Sequence, residues 1–389
     1  ADLIVSQMIG VGGACLVAGD LYWQESRPQE GGRTTLLRRG PNGVTEELTP
    51  PPFNVRTRVH EYGGGAWVVL PEKIIFSNFA DQQLYVATPG KKPEVLTHAP
   101  ALRFANGVFD QPRNRIICVV EDHGGDGEPS NYLGGIDLDS GNLVKLTEGH
   151  DFYSSPTLSA DGSRLAWITW DHPDMPWDTT TLWEATLAEG DLQNVTVVAG
   201  GKNEAVQQPR YDNAGKLHYI SDQNGWWNLY QFHQGKSQCL CEKQAEFGVP
   251  PWVFGQSTYT FTDDGIVCVY AEKNEHRLAR LVDGNLTDID TPFTAINGVS
   301  VAGNLLATTC ASATEFPSIV LFDLQTHSIE NVKKSGEIDI DPECYSIPRS
   351  IEFATADNDT AHGFFYPPTN KDFQAPADEL PPLIVILHG

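Results

Sequence analysis

An all-β fold is what this sequence predicts: a seven-bladed β-propeller of four-stranded blades, followed by the start of a second, α/β-type domain. Three observations lead there. A strand–turn–strand unit recurs along most of the 389 residues, the strongest apolar runs have strand rather than helix length, and the pattern changes near Pro348.

The clearest copy of the unit spans 155–168. Asp161-Gly162 suits a tight hairpin turn there, and the apolar residues on either side can pair across it. A second copy spans 208–220. Looser copies centre on Leu21-Tyr22-Trp23, Ile74-Ile75-Phe76, Ile116-Ile117-Cys118, Val267-Cys268-Val269 and Leu305-Leu306-Ala307. Seven centres result, at the roughly 40–50-residue spacing of propeller blades. Each is followed by a further strand, at 34–38, 83–87, 133–137, 181–186, 228–232, 277–282 and 319–324. Such sheets bury their faces on one another, and closing the ring removes the open ends.

The propeller is expected over 1–347. Beyond it, 350–355 and 362–366 read as a hairpin, a proline-rich connection follows, and 382–387 is a continuous apolar run ending in His388-Gly389. A strand apolar on both faces belongs in the middle of a helix-covered sheet. Residues 348–389 are therefore expected to be a linker and the opening strands of an incomplete second domain.

The formal charge of −25 disfavours nucleic acid and anionic membrane surfaces as partners. No run has membrane-spanning length and no signal peptide opens the chain, which makes the cytoplasm the expected location. The seven cysteines are scattered; Cys15, Cys118, Cys268 and Cys310 sit in apolar strands and read as small buried residues. Cys239 and Cys241 have no companion pair at zinc spacing. No metal and no cofactor are expected.

Several stretches resemble the prolyl oligopeptidase family of serine peptidases, in its bacterial acylaminoacyl-peptidase and dipeptidyl-aminopeptidase-like branch. They are 22–33, Val55-Arg56-Thr57-Arg58-Val59-His60-Glu61-Tyr62-Gly63-Gly64-Gly65, 155–167, 170–178, 222–230 and the strand running into His388-Gly389. The resemblance implies an N-terminal propeller joined to an α/β-hydrolase domain that carries a Ser-Asp-His triad, of which 348–389 would be the truncated opening. It places His388 and Gly389 at the start of the oxyanion region. No Gly-x-Ser-x-Gly elbow occurs; the nearest, 255–259, lacks its last glycine. The triad is expected beyond Gly389, and this chain alone is expected to be inactive. The first residues resemble an internal part of such enzymes, so a preceding segment is expected as well.

In a propeller, the loops leading into each innermost strand and the loops joining the two middle strands open on one face. Candidate substrate-binding residues there are Arg58, Glu61, Tyr62, Arg103, Tyr153, Glu204 and Glu246. Carboxylates could attract a peptide's amino terminus, an arginine its carbonyl, and aromatic rings its side chains. Trp170, Trp177, Trp226 and Trp227 are candidates for contact with the chain's own hydrolase domain. For any single one of these groups, docking the second domain or pinning neighbouring blades is the commoner role. Gly63-Gly64-Gly65 suits a close main-chain approach rather than a phosphate loop, since no helix start follows it. The expected function is a substrate-gating cap of a peptidase acting on short peptides, the narrow axis excluding folded proteins. A free-standing TolB-like interaction scaffold is the alternative, against which residues 350–389 argue.

Overall fold

The computed structural model describes residues 8–273, 275–337, 341–356, 359–376 and 378–387. Seven four-stranded antiparallel sheets follow one another along the chain, at 10–47, 67–95, 102–145, 152–200, 206–239, 259–289 and 295–334. Within each, the strands pair in sequence order, so each blade is built from one continuous segment.

The seven predicted centres are the second strands of the seven blades, for example Arg115–Asp122 and Gly265–Glu272. They read as apolar on both faces because of the period of two. In the third blade, Ile116, Cys118 and Val120 point into the cluster shared with the second blade. Ile117 and Val119 point into the cluster shared with the fourth. Leu165 and Trp167 against Ala166 and Ile168 repeat this one blade later. Seven apolar clusters result, one at each junction between adjacent blades. Each fully buried Leu, Ile or Phe contributes roughly 1.5–3 kcal/mol, so the stabilising area lies between blades rather than in one central core. The last junction, where Leu21, Trp23 and Leu37 pack on Ala307 and Ile319, closes the ring without strand pairing between the first and seventh blades among the described residues.

Near the axis there is a second, polar closure. Five innermost strands carry a β-bulge with a left-handed residue, at Gly13, Asn106, Ser155, Gln208 and Gly298. A bulge turns one residue out of the ladder and frees its polar groups to reach the next blade. The Ser155 N–H donates to Asn106 Oδ1 (2.7 Å), Thr258 N–H to Gln208 Oε1 (2.8 Å), and Leu16 N–H to Ser300 Oγ (2.9 Å). Main-chain bonds from Asn106 to Gly65 and from Val299 to Ser257 join two further pairs of blades.

Arg349–Ala354 and Thr360–Phe365 form the predicted hairpin. The apolar run 382–387 makes no strand pairing, and Leu383 to Leu387 are 68–89% exposed. The α/β arrangement expected of this segment is therefore not formed among the described residues; a single apolar run without neighbouring strands has nothing to pair with. His388 and Gly389 lie outside the described residues. Cys118, Cys268 and Cys310 are buried as expected, whereas Cys15 is only partly so, and all seven thiols are free. Among the described residues no helix is long and apolar enough to cross a membrane.

Candidate functional site

A cavity of about 990 Å3 opens on the face formed by the leading and middle loops. Its base is made by two loops that meet over the axis. The loop leading into the second blade carries Gly63-Gly64-Gly65, and the loop leading into the sixth carries Phe254. Gly64 and Phe254 form a parallel main-chain bridge, with the Phe254 N–H donating to the Gly63 carbonyl at 2.9 Å. These blades stand three steps apart on a seven-membered ring, nearly opposite, so their contact covers the axis at this end. The narrow axial opening expected from the sequence is closed here by main chain. Only glycine permits the approach: Gly64 has φ +89°, and a Cβ there would lie 2.5 Å from the Phe254 carbonyl oxygen and 2.7 Å from its nitrogen.

Two aromatic groups line the cavity. In the first, Phe152 stacks on Trp170 (5.2 Å, 14°), and His60 packs against both rings and against Phe254. In the second, Trp252 lies 4.3 Å from Trp177 and 5.4 Å from Tyr62. These residues come from the loops of the second, fourth and sixth blades and, for Phe152 and Trp170, from the paired ends of the fourth blade's first two strands.

The charged lining is one-sided. Glu61, Glu121, Glu128, Asp151 and Asp174 face the cavity, and no Lys or Arg does. Glu121 is buried and organises the corner: it accepts from the His60 N–H (2.7 Å), Arg103 Nη1 (3.0 Å) and His123 Nε2 (2.6 Å). Arg103 in turn reaches Glu61 at 3.7 Å, so its guanidinium stands between two carboxylates. Across the cavity, His150 Nδ1 and Asp171 Oδ2 are 2.8 Å apart, and Asp171 also accepts from the Asp151 N–H. Burial pushes the Asp171 carboxyl up, but these two bonds outweigh it and hold it below its usual range. Burial pulls the His60 pKa down to about 4, an interaction with Asn131 offsetting this only in part. His60 is therefore a neutral ring near pH 7. Its Nε2 and Asn131 Oδ1 are both buried without a well-formed hydrogen bond.

The predicted residues divide accordingly. Glu61, Tyr62, Trp170 and Trp177 line the cavity. Arg103 stands behind Glu61. Arg58 turns away and covers the Phe79 ring at 4.5 Å. Tyr153 is 1% exposed and belongs to the core between the third and fourth blades. Glu204 accepts from Ser221 Oγ and the Gly200 N–H, and Glu246 from the Trp227 N–H, so both serve loops beside the cavity. Trp227 packs inward, while Trp226 remains 39% exposed. Sequence reasoning missed Glu121, Asp151 and Trp252. Pro250-Pro251-Trp252, an aromatic after a proline pair, was the available signal for the last.

Among the described residues no serine or cysteine bonds a histidine, and no cluster of His, Cys, Asp and Glu could hold a metal ion.

No family profile and no curated protein matches the chain. Solved structures do. A Mycobacterium tuberculosis puromycin-hydrolyzing peptidase is 30% identical with a TM-score of 0.91, over 98% of this chain and 61% of that one. A puromycin hydrolase is 31% identical with a TM-score of 0.90, over 98% and 62%. Prolyl endopeptidases share the fold at 12% identity and a TM-score of 0.71, over 92% and 54%. The chain thus spans about three-fifths of the peptidases it resembles at 30% identity. It is similar over nearly its whole length to puromycin-hydrolysing peptidases, and its seven blades and the motifs noted above are consistent with the N-terminal propeller portion of a prolyl oligopeptidase-family peptidase.

Proposed function

We propose that this chain is the substrate-side cap of a serine-type peptidase acting on short peptides, and that its cavity receives the peptide's free amino end. The Ser-Asp-His triad would come from an α/β-hydrolase domain that opens in 348–389, with His388 and Gly389 at its oxyanion region. Hydrolysis would then be acyl transfer through the serine. The observation that carries the reading is the cavity's lining of five carboxylates without a cation, on the face where propeller loops meet a partner. Arg103 offsets part of the charge of Glu121 and Glu61, and the lining as a whole still favours an ammonium group over a carboxylate. The similarity to puromycin-hydrolysing peptidases supports the same reading and makes puromycin a first substrate to try. Gating would be shared by the covered axis and the cavity mouth, and the Trp226 loop would face the hydrolase domain.

The test is Glu61→Gln in the full-length protein. The side chain is 84% exposed, so its charge acts through solvent and the expected loss is modest. We expect kcat/KM on a free-amine dipeptide to fall about five-fold, with little change on an uncharged ester. Equal effects on both would overturn a direct role.

A further inference from the structure

We infer that the wall formed by Tyr62, Trp177 and Trp252 is a subsite for a bulky apolar side chain, so that the cavity selects substrates by side chain as well as by charge. The inference extends the amino-end reading above. Tyr62 is 64% and Trp252 47% exposed, although both line a cavity and touch other rings. Large apolar groups left open in a concave surface lose free energy to water until another apolar group covers them.

The wall is built before any ligand arrives. Tyr62 and Trp252 each stand two residues from the bridged pair Gly64 and Phe254. The main-chain crossing therefore fixes both rings at once, and Trp177 braces Trp252 at 4.3 Å. A pocket held in this way costs a ligand little ordering. The carboxylates lie alongside: Glu61 adjoins Tyr62, and Asp174 precedes Trp177 by three residues in the same lining. An α-amino acid residue presents an ammonium and a side chain on neighbouring atoms, which matches this pairing of acid and ring.

The test uses the 389-residue chain, calorimetry and three probes: L-phenylalaninamide, L-alaninamide and N-acetyl-L-phenylalaninamide. We expect phenylalaninamide to bind about ten-fold more tightly than alaninamide. Trp252→Ala should abolish that ratio, by weakening phenylalaninamide far more than alaninamide. Trp252→Leu, which keeps an apolar residue at the site, should reduce it only in part. Equal affinity of the two amides, or binding of neither, would overturn the inference, because rings that merely attract an ammonium do not read the side chain. Equal weakening of both amides by Trp252→Ala would do the same. If the acetylated probe binds as well as the free amine, the subsite stands and the amino-end reading fails.

Discussion

Gly64→Ala should break the crossing that covers the axis, and its cost can be worked from the geometry. At φ +89° an alanine carries left-handed strain of about 1–2 kcal/mol. The added Cβ meets the main chain of Phe254 at 2.5 and 2.7 Å, so the loops must part. Parting removes the Phe254 N–H bond to Gly63, worth about 1 kcal/mol. It also uncovers part of the Phe254 ring, which packs against His60, for about 1 kcal/mol more. The total is about 3–4 kcal/mol, which for a propeller of this size corresponds to roughly 4–7 °C in Tm. Gly90→Ala is the control, since Gly90 has φ +73° with nothing within 4 Å of an added Cβ, and isolates the strain alone. Calorimetry gives Tm, and tryptophan emission reports the loops, because Trp252 and Trp177 should shift to the red as their contact loosens. A Gly64→Ala protein with the emission of the parent and the Tm of Gly90→Ala would refute the crossing.

Two further expectations concern stability. His60 titrates at about 4 in the folded chain against 6.5 when unperturbed, so between these values the unfolded chain binds more protons. The stability from keeping the ring neutral is complete above about pH 6.5 and is lost as pH falls toward 4, by up to about 3 kcal/mol. His60→Asn, which tolerates the left-handed backbone at φ +52°, should therefore show a shallower fall of Tm between pH 7 and 4.5; parallel curves would refute this. Asp110 is fully buried and binds Arg113 at 3.0 Å and Arg115 at 2.8 Å, while these arginines reach the Leu187 and Gly190 carbonyls of the next blade. Asp110→Ala should cost about 3 kcal/mol by leaving both cations without their shared anion. Urea unfolding checks it, and a loss under 1 kcal/mol would show that the pair does not join the blades.

The blades could be read from the sequence because the information is local. A middle strand such as Ile116–Val120 faces two neighbours and must be apolar at every position, and a hairpin such as 155–168 announces its turn with Asp161-Gly162. The run 382–387 carries the same local signal, yet it makes no pairing among the described residues, because periodicity proposes a strand and only adjacent strands realise one. Glu61 and Tyr62 were legible for a similar reason: they sit beside three glycines in a loop whose position in the repeat assigns it a face.

What the sequence alone determined, then, is the succession of strands, their grouping into seven units and the face on which each loop emerges, all of which follow from alternation and turn chemistry over a few residues. Tertiary structure decided which loops meet. Ring closure brings the loops of the second, fourth and sixth blades together at the axis, so Trp252 stands against Tyr62 and Trp177, and Glu121 holds the His60 corner. No periodicity records a contact between segments separated by whole blades, because it exists only once the ring has closed.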